Sequence, residues 1–200
     1  MELAASQLIK LYMQTQVLTG NIYYAPTPEA RLLDALNGLS DVGPVKRGRF
    51  LELTDVIVQH ADGRNEKLTV SYINKATVQL AISLGDAESG RGLGAQSGPK
   101  AYPFVEKSAV PVRIETHDYR ITGNMYHSIH QRIWHVLEDL QIFLPITHAH
   151  IFTIANNIWG KAPFVAVNKE HILSLQEENS HRFEGQKTIE SNKPREHKNP

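Results

Sequence analysis

Ile9 to Tyr24 reads IKLYMQTQVLTGNIYY, and Val112 to His127 reads VRIETHDYRITGNMYH. The two stretches align without a gap at an offset of 103, share Thr-Gly-Asn-x-Tyr outright, and set Ile/Val, Lys/Arg and Leu/Ile opposite one another. The match continues in order along the chain. Arg31-Leu32-Leu33 with Leu36 faces Arg132-Ile133-Trp134 with Leu137. Phe50-Leu51-Glu52-Leu53-Thr54 faces Phe143-Leu144-Pro145-Ile146-Thr147, and Ile73-Asn74-Lys75 with Val78 faces Val167-Asn168-Lys169 with Ile172. Four matches in one order read as a duplicated module. The offset falls to 93 and 94 in the later blocks, which puts about ten extra residues in the first copy near Gly38–Gly48.

Periodicity gives each copy its elements. Val112, Ile114 and Thr116 alternate with Arg113, Glu115 and His117, the period of a half-buried strand. A second alternation starts at Arg120-Ile121-Thr122, and Gly123 inside it predicts a bulge or sharp bend, as does its counterpart Gly20. Ile129, Ile133, Val136, Leu137 and Leu140 then mark one face of a short helix, matched by Leu32, Leu33 and Leu36 after Pro28. Further strands are expected over 143–154, 164–167 and 171–176, and over 50–60, 67–73 and 77–84, with Asp62-Gly63 as a hairpin turn.

The expected fold is mainly β with short helices: two tandem small β-barrel modules, each with an inserted helix, because a small sheet closes to remove its edges. The first module spans 1–84 and the second 111–178. Residues 85–110 have the Gly/Ser-rich composition of a linker, and 179–200 that of a disordered tail. The candidate core is Leu11, Leu18, Ile22, Leu53, Val70 and Ile73, with Ile114, Ile121, Met125, Ile146, Val165 and Val167.

Composition narrows the function classes. The 200 residues are 41% hydrophobic, and 21 Lys+Arg balance 21 Asp+Glu. Zero net charge counts against a whole-chain electrostatic hold on nucleic acid or an anionic membrane. The absence of cysteine excludes a disulfide scaffold, a Cys-ligated metal and a catalytic thiol. No apolar run approaches a membrane span, and Met1 to Gln16 lacks the pattern of a secretory signal, so a cytoplasmic protein is expected.

The pattern resembles the Sm-like (Lsm) fold, a strongly bent five-stranded barrel. Its first motif, apolar-x-apolar, a turn, then apolar-x-Gly-x-apolar, is matched by Val112-x-Ile114 with Ile121-Thr122-Gly123-Asn124-Met125, and by Ile9-x-Leu11 with Leu18-Thr19-Gly20-Asn21-Ile22. Its second motif is matched by Val165-x-Val167-Asn168-Lys169-Glu170-His171-Ile172 and by Val70-x-Tyr72-Ile73-Asn74-Lys75-Ala76-Thr77-Val78. RNA-binding members usually carry an acidic residue and an Asn in the loop after the second strand, and Arg-Gly in the last tight turn. Here a helical insertion replaces the first, and the turns read Asn-Lys.

Asn74-Lys75 and Asn168-Lys169 are therefore the candidate ligand contacts, Asn offering hydrogen bonds and Lys an anion site, with Tyr72 as a stacking neighbour. The structural reading of the same residues is turn chemistry, with Asn in the left-handed region and Lys solvating a barrel rim. Of ten histidines, His127, His148 and His150 have metal-ligand spacing. Their counterparts are Tyr24, Asp55 and Ile57, so neither a metal nor another cofactor is expected. Gly90-Arg91-Gly92-Leu93-Gly94 lacks the strand and helix of a nucleotide loop, and no nucleophile elbow is visible. The expected function is a non-catalytic binding or assembly protein that self-associates through barrel edges. RNA binding is the alternative, and a His-based metal enzyme comes third.

Overall fold

A computed structural model describes residues 5–24, 32–38, 48–84, 106–155 and 159–178. The described residues of the first half form β1 (Ala5–Tyr12), β2 (Gln16–Tyr24), α1 (Leu32–Asn37), β3 (Phe50–His60), β4 (Asn65–Asn74), a 3-10 turn (Lys75–Thr77) and β5 (Leu80–Ser83). Those of the second form β6 (Lys107–Glu115), β7 (Tyr119–Ser128), α2 (Ile133–Leu137), β8 (Phe143–Thr153), β9 (Trp159–Asn168), a 3-10 turn (Lys169–His171) and β10 (Ser174–Glu177). Each element has its counterpart at the offset read from the sequence.

The chain is mainly β, and its described strands form one antiparallel 10-stranded sheet in the order β10-β6-β7-β8-β9-β5-β1-β2-β3-β4. The duplication is written inside that order. In each half the last strand pairs with the first, so β5-β1-β2-β3-β4 repeats as β10-β6-β7-β8-β9. Two separate closed modules were expected; instead the halves are sewn together where β5 pairs with β9 through Leu80↔Val167 and Ala81↔Ala166. Strand β6 starts at Lys107, inside the stretch assigned to the linker. Most of that linker, and the tail from 179, lie outside the described residues.

Two apolar clusters fill the halves, and they trade residues at the junction. Phe143 and Ala166 of the second half belong to the first cluster, while Leu80 and Ile82 of the first half belong to the second. Eleven of the twelve candidate core residues are buried; Val70 is 41% exposed. The reason is position. On β9, Val165, Ala166 and Val167 are all buried because the strand has neighbours on both sides. On β4, at the end of the sheet, Ile73 faces the core while Val70 and Tyr72 point to the uncovered face.

The predicted bend is a bulge. Thr122 pairs with His150 and Asn124 with Thr147, so one residue, Gly123, opposes two, His148 and Ala149. The first half repeats this with Gly20 against Asp55 and Val56. The extra residue takes the left-handed conformation in both halves, with φ of 51° at Asp55 and at His148. Helix α2 is shorter than its apolar periodicity implied: Ile129 and Leu140 fall outside it and are exposed. The two last strands also start later than expected, because Asn74 and Asn168 cap the 3-10 turns that precede them.

Candidate functional site

The Asn-Lys turns are built alike. Asn74 Oδ1 accepts from Ala76 N at 3.1 Å, and Asn168 Oδ1 accepts from Glu170 N at 3.0 Å. Both asparagines cap their turns with extended backbone, φ −67° and −73°, so the left-handed conformation expected of them is not used. A short polar side chain that reaches the N–H two residues on is sufficient reason for Asn here.

The lysines hold the helices. Lys75 is buried, and its Nζ donates to the carbonyl of Ala35 at 2.8 Å, within α1. Lys169 Nζ donates to the carbonyls of Val136 at 3.2 Å and Asp139 at 2.9 Å, and meets the Asp139 carboxylate at 2.6 Å. A cation at the carbonyl end of a helix satisfies orphan acceptors and the macrodipole together. Burial pushes the Lys75 amine below its ordinary pKa of 10.5. The rim-solvating lysine expected from sequence is therefore replaced, at position 75, by a buried strut. The candidate contacts do not form one surface: Lys75 and Asn168 are buried, whereas Tyr72 is 67% exposed.

Asn168 does more than cap. Its Nδ2 donates to Val78 O at 2.9 Å and to Lys75 O at 3.3 Å, both in the other half. Its backbone N–H donates to Gln79 O at 2.9 Å. Gln79 in turn reaches Asp118 at 2.5 Å and Thr116 at 3.1 Å, across the same boundary. Asn37 at the end of α1 clamps the start of β8, donating to Phe143 O at 3.2 Å and accepting from Phe143 N at 2.7 Å. Tyr12 and Tyr119 meet edge to face with ring centres 5.6 Å apart. Burial, with the neighbouring Asp118 carboxylate, pushes the Tyr119 hydroxyl up to about 12. Burial also raises Tyr12. These phenols are held neutral and serve packing.

The histidines do not gather. His148 and His150 are exposed on β8, and His127 Nδ1 meets the Ser128 carbonyl at 2.9 Å on β7. Among the described residues no three His, Asp or Glu side chains could hold a metal ion together. No helix among them is long and apolar enough to cross a membrane.

The feature the sequence reading missed is the junction that joins the two halves within one chain. Among the described residues, β4 has β3 as its single neighbour, and β10 has β6. A groove of about 700 Å³ lies beside β10, lined by Val110, His127, Ile133, Trp134, Leu137 and Leu175 among others. Phe50 is 58% exposed, although its counterpart Phe143 is 1% exposed. The repeated Phe was visible in the sequence; which copy meets a neighbour was not. Compared with family models, with curated proteins and with solved structures, the chain matches none.

Proposed function

We propose that this chain is a non-catalytic assembly protein, built from two Sm-like repeats, that associates with further protein through the two open edges of its sheet. The observation that carries the reading is the β5–β9 junction. There, two edge strands of the same repeated unit already join by backbone pairing, and among the described residues β4 and β10 leave one edge of each kind unpaired. An unpaired strand offers a row of N–H and C=O groups, and adding a strand to it is a general mode of protein recognition. Exposed Phe50, Tyr72 and Leu173 beside these edges supply apolar surface for a partner. A cytoplasmic setting belongs to this reading.

RNA binding through the Asn-Lys turns has less support, because the Lys75 amine is committed to α1 and Asn168 to the junction. Light scattering combined with amide hydrogen exchange tests the proposal. The mass should exceed the 22.5 kDa of one chain, and added protection on raising the protein concentration should map to β4 and β10. A single-chain mass at every concentration, or protection confined to other strands, would overturn it.

A further inference from the structure

We propose that Asn37-Gly38 is a deamidation site kept unreactive by the clamp between the two halves, so that opening of the clamp lets the asparagine convert to a carboxylate that cannot close it again.

Sequence and position together define the site. Asn37-Gly38 is the one Asn-Gly pair in the 200 residues. Glycine after asparagine leaves the next backbone nitrogen with no side chain to shield it, which is the local condition for ring closure. The pair stands at the carbonyl end of α1, where Gly38 takes φ 68° and is buried. A left-handed residue just past a helix calls for glycine, so the fold itself puts the labile pair there. The corresponding pair in the second half is Glu138-Asp139, which has no amide to lose.

The clamp occupies both polar atoms of that amide. Asn37 Nδ2 donates to Phe143 O at 3.2 Å, and Oδ1 accepts from Phe143 N at 2.7 Å. Phe143 is 1% exposed and shares an apolar cluster with Leu32 and Leu36 of α1. Ring closure requires the Asn37 side chain to turn back on its own backbone and bring Cγ to Gly38 N. A side chain tied to β8 cannot turn without giving up both bonds. The reaction therefore waits on the separation of α1 from β8.

Once the side chain is free, Gly38 N attacks Asn37 Cγ. A C–N bond forms, the Cγ–Nδ2 bond breaks, and the Gly38 N–H proton passes through solvent to the departing nitrogen, which leaves as ammonia. Water then opens the cyclic imide at either carbonyl, giving an aspartyl or isoaspartyl residue at position 37. Neither side chain has an N–H to offer once ionised. Such a carboxylate still accepts from Phe143 N, but it sets acceptor against acceptor at Phe143 O and leaves that carbonyl without its donor. Refolding does not restore the amide. The site thus marks chains whose seam has opened, and weakens the seam once it has reacted.

To test this, the parent is incubated in mildly alkaline buffer, folded and in urea, and the tryptic peptide 32–46, in which Asn37 is the only asparagine, is weighed over time. Conversion should be at least about tenfold slower in the folded chain. Two variants separate the seam from the rest of the fold. Asn168→Ala removes the junction amide and leaves Asn37 in place, while Ile121→Ala empties part of the second cluster on β7, whose neighbours are β6 and β8. Asn168→Ala should speed conversion in the folded chain by about tenfold, and Ile121→Ala should leave it within about threefold of the parent. Asn37→Asp reproduces the product, and should lower its folded-to-unfolded ratio by about tenfold, read as a lower urea midpoint. Equal conversion with and without urea, an Asn168→Ala rate that is unchanged or matched by Ile121→Ala, or an Asn37→Asp midpoint equal to the parent's would each overturn the proposal.

Discussion

Gly123→Ala, set beside Gly20→Ala, measures the bulge that bends each half. Neither glycine has positive φ, so the requirement is space. A Cβ on Gly123 would lie 2.6 Å from Ile146 Cγ2, 2.7 Å from Thr147 O and 3.2 Å from Ala149 Cα. Two of those three atoms belong to the backbone of β8, and Ile146 is a fully buried core residue, so none can swing aside. On Gly20 the same Cβ would meet Thr54 O at 3.0 Å, Val56 Cγ2 at 3.2 Å and Leu53 Cδ2 at 3.3 Å, contacts that relax by tenths of an ångström. Overpacking a core costs about 1–3 kcal/mol, and Gly→Ala restricts the unfolded chain to return about 0.4–1 kcal/mol. Gly123→Ala should therefore destabilise by ~2 kcal/mol, and Gly20→Ala by less than ~1 kcal/mol. Urea unfolding followed by circular dichroism reads the difference, and the melting temperature should fall by about 2–4 °C per kcal/mol for a chain of this size. Equal costs at the two sites, or a gain at Gly123, would mean that β7 and β8 do not approach as closely as the bulge requires.

Asn168→Ala removes the amide that serves Val78 O and Lys75 O in the buried junction, and should cost about 2–4 kcal/mol, against ~1 kcal/mol for Asn74→Ala. Matched denaturant titrations check the pair, and equal losses would refute the junction role. Lys75→Met probes the buried strut: because the folded amine titrates below 10.5, the unfolded chain holds the extra proton between the two values, and stability rises with pH across that window. The parent's stability relative to the variant's should therefore climb as pH rises toward 10.5, and a flat difference would speak against burial. Tyr119 acts in the opposite sense, since its folded pKa of about 12 exceeds its ordinary 10.0; stability should fall as pH rises through that interval, by ~1.4 kcal/mol per pH unit for one group, and Tyr119→Phe should flatten the fall.

Much of the fold was legible because the chain states it twice. The shared Thr-Gly-Asn-x-Tyr marks the same bulge in both halves, and the matched blocks place every strand beside its counterpart. The merging of the halves was not legible, because β5 and β9 join through main-chain groups, which every residue carries alike. Val70 misled for a related reason. Its apolar character suits the face that Phe164 presents to the first cluster, and only the sheet order reveals that, among the described residues, β4 has no second neighbour as β9 does. Lysine at position 75 reads as a surface residue on composition, and its burial follows from the carbonyl end of α1 lying within reach of the turn. The length of α2 was overread because an apolar periodicity does not say where capping stops a helix.

The two copies of the repeat differ at residues that meet across the β5–β9 junction, and the differences favour pairing of the two halves of one chain over an exchange with another chain's β4. Inside, Asn37 offers both a donor and an acceptor to the backbone of Phe143. Its counterpart Glu138, as a carboxylate, offers only acceptors and could not serve both backbone groups of such a residue. At the junction Ala166 pairs with Ala81; their counterparts in the repeat are the larger Tyr72 and Leu175. A foreign β4 placed against β5 would press Tyr72 into the space that Ala166 leaves, and would set Met13 against Gln79, stranding its amide. Leaving buried polar groups unpaired costs about 1–3 kcal/mol each, which favours the native order over the exchanged one. The inner junction also has the advantage of a shared chain, which keeps its two edges at high effective concentration. Paired side-chain differences at Asn37, Gln79 and Ala166 thus favour the β5–β9 seam that one chain makes with itself.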